Sequence, residues 1–132
     1  AALGEAWTIA KKNKLDLKKT YEGIKISSGN SFVHETESQV ILNGSYNINF
    51  TMDLVEKDMS LFNKLSKDLD INLEIAPFIL DIFKDAKEKF GSRAWSSMVV
   101  KRLEDKYGIN FREKGFPDEL VDYEPEEKGH EV

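Results

Sequence analysis

The sequence predicts an all-α domain of five or six helices. Apolar residues recur at i, i+3, i+4 and i+7 in successive segments, residues that start and stop helices separate those segments, and no apolar/polar alternation lasts long enough for a sheet. With 132 residues, 40% of them hydrophobic and 33% charged, the chain can bury one core and needs no second domain.

The first stripe is Leu3, Ala6, Trp7 and Ala10, stopped by Asn13. No Ser, Thr, Asp, Asn or Pro precedes it, and no Met opens the chain. This predicts a helix whose upstream part lies before Ala1; the alternative is a frayed first turn. Asp16 caps a second helix carrying Leu17, Thr20, Tyr21 and Ile24, which ends near Ser27-Ser28-Gly29-Asn30. Ser31 caps a third, running to about Val40, whose polar composition predicts a half-exposed position. Asn43-Gly44-Ser45 is a turn. Phe50, Met52 and Leu54 alternate, so the chain approaches the next helix extended, and Asp53 with Glu56 resembles a capping box. That fourth helix carries Leu54, Leu61, Phe62, Leu65 and Leu69. The fifth carries Ile75, Phe78, Ile79, Ile82, Phe83, Ala86 and Phe90, with Pro77 in its first turn and Gly91 at its end. A last helix, capped by Ser96, runs through Val99, Val100, Leu103 and Tyr107 to Gly108. Residues 109–132 show no periodicity and read as an irregular tail.

Charge and composition exclude several functions. The net charge of -5 lies entirely in residues 112–132, because residues 1–111 carry as many acidic as basic groups. The only basic cluster, Lys11, Lys12, Lys14, Lys18 and Lys19, reads as solvated helix ends, so no nucleic-acid partner is expected. No apolar run is long enough to span a membrane, which points to a cytoplasmic protein with no membrane partner. Absence of cysteine removes thiolate chemistry, and His34 and His130 are too far apart to suggest a metal site. His34 with Glu35 and Glu37 reads as a polar helix surface, and Trp7 and Trp95 as core or interface anchors.

One helix carries a conflict. Asp58 falls in the middle of the fourth helix's apolar stripe, with Lys57 at its edge. Either a neighbouring backbone N–H or arginine pairs Asp58 and Lys57 is merely solvated, or the lysine stem carries its ammonium out of the face to a pocket. The Gly29-Asn30-Ser31 turn suits hydrogen bonding to a small polar ligand, although a helix cap has the same composition.

Taken in order, Leu3-Gly4-Glu5-Ala6, Gly29-Asn30-Ser31, Phe50-x-Met52-Asp53-Leu54-x-x-Lys57-Asp58 and Ala94-Trp95-Ser96-Ser97-Met98 resemble the C-terminal domain of the β-hydroxyacid dehydrogenases. That family includes 3-hydroxyisobutyrate dehydrogenase and tartronate semialdehyde reductase. The resemblance covers residues 1–108 and implies a helical bundle like the C-terminal domain of 6-phosphogluconate dehydrogenase. It further implies a partner Rossmann domain upstream, binding NAD or NADP, with the catalytic lysine on the helix before Ala1; none is expected in this chain, and no metal.

By resemblance, Lys57 reaches the cofactor, Asp58 anchors its helix near the substrate, Phe50 covers the reacting centre, and Asn30 and Ser31 border the substrate pocket. The implied substrate is a small carboxylate, a β-hydroxyacid or semialdehyde, and the implied assembly a homodimer or tetramer. The chain alone is then expected to be inactive. A stand-alone helical interaction module without enzyme activity is the competing expectation.

Overall fold

α1 (Ala2–Lys12) buries Gly4, Trp7, Thr8 and Ala10, and the Asn13 side chain ends it by donating to the Ile9 carbonyl (2.9 Å). The computed structural model describes residues 1–121 and Gly129; His130 and the acidic residues Asp122, Glu124, Glu126, Glu127 and Glu131 lie outside them. Asp16 caps α2 (Leu17–Lys25), its carboxylate accepting from the Lys19 N–H at 3.0 Å. Ser31 caps α3 (Phe32–Asn43) by accepting from the His34 N–H at 3.1 Å. α3 ends at Gly44, where φ is +99°, and the Arg112 side chain occupies the space a Cβ there would need.

Two long helices, α4 (Met52–Asp68) and α5 (Ile75–Phe90), form an antiparallel hairpin and pack on each other more extensively than on anything else. A 3-10 turn, Ser96–Val100, then leads into α6 (Lys101–Tyr107). Among the described residues there is no strand; the nearest approach is one antiparallel bridge between Thr51 and Trp95. The core joins Trp7, Leu17, Tyr21, Ile41, Leu42, Met52, Val100 and Phe111.

The all-helical architecture and the extended approach at Phe50–Met52 agree with the sequence, but four local expectations need correction. First, the exposed half of α3 is not its polar half; His34, Thr36 and Ser38 are buried with Val40, Ile41 and Leu42, while Phe32 and Val33 are exposed. Its polar side chains satisfy themselves locally: Thr36 Oγ1 donates to the Phe32 carbonyl (2.8 Å), and Ser38 Oγ meets His34 Nδ1 at 3.2 Å. A polar-looking helix can therefore lie in the core. Second, His34 is fully buried and forms no part of a polar surface.

Third, the clean stripe on α4 does not face the core. Leu61, Phe62, Leu65 and Leu69 are each more than half exposed, while Met52, Asn63 and Ser66 are buried. Periodicity identifies an apolar face but does not say which surface covers it. Fourth, neither proposed cap acts as one. α4 starts at Met52 with Thr51 before it, and the Asp53 carboxylate accepts from the Thr51 hydroxyl and the Leu54 N–H (3.0 Å). Ser96 opens the 3-10 turn, five residues ahead of α6.

Residues 109–116 are irregular, yet they pack into the body. Phe111 is fully buried, the Glu113 N–H donates to the Leu42 carbonyl (2.9 Å), and the Asn43 amide donates to the Phe116 carbonyl (2.9 Å). Phe116 meets Tyr21 edge-on, with ring centroids 5.2 Å apart.

Candidate functional site

The start of α4 is fixed by backbone pairing across a long sequence gap. The Met52 N–H donates to the Ala94 carbonyl (2.8 Å), the Asp53 N–H to the Ser92 carbonyl (3.0 Å), and the Ser96 N–H to the Phe50 carbonyl (2.9 Å). The buried Ser97 hydroxyl donates to the Tyr46 carbonyl at 2.7 Å. Two of the short motifs singled out in the sequence, Phe50–Asp58 and Ala94–Met98, are therefore one structural junction. Arg93 adds an ion pair with Asp53 (3.2 Å); the Thr51 hydroxyl first, then this guanidinium, hold the Asp53 carboxyl below the usual aspartate range.

From this junction α4 presents Lys57 and Asp58 to solvent, their side chains 59% and 55% exposed. They pair with each other at 2.9 Å, and this adjacent ion pair is the partner the structure gives Asp58. The apparent conflict on the stripe disappears because the face is open, so no carboxylate is buried. Phe50, at the approach to α4, is partly exposed.

Asn30 and Ser31 lie in a different turn, between α2 and α3. Ser31 is exposed and engaged in capping. The Asn30 amide donates to Glu35 Oε1 (2.6 Å), and Glu35 also pairs with Lys25 (3.3 Å). Asn30 and then Lys25 lower the Glu35 carboxyl below its ordinary range. Lys57 pairs with Asp58, and Asn30 with Glu35; among the described residues no polar contact joins the two groups.

Sequence reasoning missed two features. One is Glu35, read as helix surface, which orients the Asn30 amide; its i+5 spacing from Asn30 across a cap was the available signal. The other is Glu104, only 4% exposed, which accepts from the Tyr46 hydroxyl, the Phe111 N–H (2.7 Å) and Arg112 (3.3 Å). Arg112 also lies over the Tyr46 ring, 5.0 Å from its centroid, and burial ahead of the Glu104 bond raises the Tyr46 hydroxyl well above its usual range. Nothing in the spacing of Tyr46, Glu104 and Arg112 announces that network.

Among the described residues no group of three His, Asp or Glu side chains could hold a metal ion. Nor is any described helix long and apolar enough to cross a membrane. A cofactor phosphate or carboxamide would find an exposed donor at Lys57, but these helices include no glycine-rich strand–helix cradle for a dinucleotide.

Comparison with known proteins decides what this arrangement belongs to. Residues 1–103 match the family described as NAD-binding of NADP-dependent 3-hydroxyisobutyrate dehydrogenase. The chain belongs to this family.

L-Threonate dehydrogenase of Haemophilus influenzae is 27% identical over 115 residues, 87% of this chain and 37% of that protein. The Escherichia coli L-threonate dehydrogenase is 27% identical over 101 residues, 76% of this chain and 33% of its own length. A crystal structure of 3-hydroxyisobutyrate dehydrogenase from Salmonella typhimurium superimposes with a TM-score of 0.71 at 27% identity, over 76% of this chain and 35% of that one. The chain thus spans about a third of the length of these dehydrogenases. The family match ends at Leu103, so Phe111, a fully buried member of the core, lies beyond it.

Proposed function

We propose that this chain is the C-terminal helical domain of an NAD(P)-dependent dehydrogenase acting on a small β-hydroxyacid or semialdehyde, and that it forms one wall of the cofactor–substrate cleft. The observation that carries the reading is Lys57: an exposed ammonium on the first half of α4, the helix whose start is held rigidly by residues 92–96. Membership of the family and the names of the relatives support it.

A nicotinamide cofactor, held mainly by a Rossmann domain, would supply the hydride chemistry when bound. The residues here orient and exclude. Lys57 donates hydrogen bonds to the cofactor, Asp58 holds that ammonium by its 2.9 Å ion pair, and Phe50 shields the reacting centre from water. Asn30 and Ser31 border the carboxylate-bearing substrate. The general acid for the alcohol oxygen lies on the helix leading into α1, outside this chain. The L-threonate dehydrogenases make a polyhydroxylated acid one substrate candidate among others. The protein works in the cytoplasm, and either cofactor, NAD or NADP, suits a single lysine contact.

The exposed α4–α5 face supports a second copy of the chain as partner. Leu61, Phe62, Leu65, Leu69, Ile75 and Phe78 are all exposed on the hairpin. At roughly 100 Å² each they offer on the order of 600 Å² of apolar surface, near the ~800 Å² per partner of a standard interface.

Lys57→Ala in the intact dehydrogenase tests the reading. The expected result is a KM for the cofactor raised about tenfold or more with melting temperature unchanged, because the side chain is exposed and pairs with the equally exposed Asp58. Unchanged cofactor KM and turnover would remove Lys57 from the cleft. The chain alone is expected to show no turnover of 3-hydroxyisobutyrate or L-threonate with either cofactor; measurable turnover would overturn the assignment of catalysis to an upstream domain.

A further inference from the structure

We propose that His34 is a positioning residue: a neutral, buried imidazole that fixes the Asn30–Ser31 turn for substrate and shifts that turn when its contacts rearrange on protonation. The inference rests on the reading above that this turn borders the substrate pocket, and adds what holds the turn in place.

His34 is fully buried one turn into α3. Its Nε2 lies 2.9 Å from the Tyr21 carbonyl, which can only accept, so Nε2 carries the proton. Its Nδ1 lies 3.2 Å from Ser38 Oγ, and with Nε2 protonated it accepts from that hydroxyl. The ring lies between Trp7 of α1, centroids 5.8 Å apart and nearly parallel, and Tyr21 of α2, 4.6 Å apart. Its own backbone N–H is the one that Ser31 caps. One side chain therefore ties the first turn of α3, and the Asn30–Ser31 turn before it, to both α1 and α2. The Tyr21 hydroxyl adds a second tie by donating to the Glu35 carbonyl (2.9 Å), and the Glu35 carboxylate holds the Asn30 amide.

The way the ring is held depends on charge state. A second proton must go to Nδ1, which then donates to the Ser38 hydroxyl instead of accepting from it. That hydroxyl must turn its own proton away while the Nε2 bond to Tyr21 persists, and a cation is enclosed between the Trp7 and Tyr21 rings. The charged groups that face it are Glu22 and Lys25 on α2 and Glu35 on its own helix; α1 contributes the uncharged Trp7 ring. Burial outweighs the Tyr21 bond and these charges, so the imidazole resists protonation more than a free histidine does.

The test has one arm on the 132-residue chain and one on the intact dehydrogenase. In NMR titrations from pH 8 to 5, the Asn30 and Ser31 amide signals should move with the same midpoint as the His34 ring, below 6.5. They should stop moving in His34→Gln, which keeps a donor for the Tyr21 carbonyl and cannot be protonated. Signals from Asn30 and Ser31 that follow another group, or that still titrate in His34→Gln, would overturn the proposal.

In the dehydrogenase, substrate KM should rise about tenfold as pH falls through that midpoint, with kcat changed less than about twofold, and His34→Gln should flatten the profile. An unflattened profile would sink the positioning role. The underlying pocket reading fails separately, through Asn30→Ala and Ser31→Ala variants whose substrate KM matches the parent, whatever the titrations show.

Discussion

Replacing Phe111 by alanine tests whether the segment after α6 belongs to the cooperative fold. Its ring is completely buried and sits in the same cluster as Trp7, Leu42 and Val100, and its N–H is bound to Glu104. Deleting a fully buried phenylalanine ring costs about 3–5 kcal/mol, as lost transfer free energy plus the cavity left behind. For a domain whose total stability is about 5–15 kcal/mol that is a large share. With a urea m-value of about 1.5–2 kcal/mol/M, the midpoint should fall by roughly 2 M at unchanged slope. Trp7, in the core itself, reports unfolding by fluorescence, and protein concentration must be held fixed because self-association adds apparent stability. Phe116→Ala supplies the internal comparison: its half-buried ring has an edge contact with Tyr21, and about 1–2 kcal/mol is expected. A loss below about 1 kcal/mol for Phe111→Ala would show that residues 109–116 rest on the domain without helping to hold it.

Three further outcomes follow from the same geometry. Arg112→Ala should cost about 1–3 kcal/mol in urea unfolding, because it strips one partner from the buried Glu104 carboxylate; in the Tyr46→Phe background the loss should shrink, since the two share that carboxylate. Gly44→Ala should cost about 2 kcal/mol or more, by melting temperature, since φ is +99° and the Arg112 side chain fills the Cβ position. On acidification, the depressed His34 value means that the unfolded chain binds the proton first, so stability falls as pH drops from about 6.5 toward the folded value. The lowered Asp53, Glu35 and Asp85 carboxyls remove stability at lower pH still, as pH falls through their folded values. Glu37 acts in the opposite sense, because burial raises it and the folded chain takes its proton first. Denaturant curves at pH 7.5, 6 and 5 should show the first loss in the parent chain and not in His34→Gln.

The sequence revealed helices where local chemistry is decisive. Asp16 and Ser31 cap as their composition suggests, Gly91 and Gly108 end α5 and α6 at positive φ, and Trp7 lies on a stripe that faces the core. It failed where the outcome depends on what lies opposite. α4 has a cleaner apolar stripe than α3, yet α3 buries more of its residues, because its threonine, serine and histidine satisfy their polar atoms within the helix or against α2. For the candidate site, the ordered motifs located Lys57, Asp58, Asn30 and Ser31, but not what fixes them. The Phe50–Ser96 pairing, the Glu35–Asn30 bond and the Glu104 network join residues by tertiary approach, and no spacing rule encodes that.

The bridge between Thr51 and Trp95 also separates the molecule into a body and an excursion. The chain leaves the body at Met52, travels out along α4 and back along α5, and returns within hydrogen-bonding distance of its point of departure. Because the exit and the re-entry are fastened to each other, the body uses only the inner turns of the hairpin, where Met52 and Ala86 join the core. Whole helical turns can be added to or removed from both arms together near the tip, outward of Ile82 and Phe83, which pack against the cluster around Trp7, without altering the junction. Arm length, and with it the reach of the exposed apolar face, is thus free to change independently of the wall that carries the lysine.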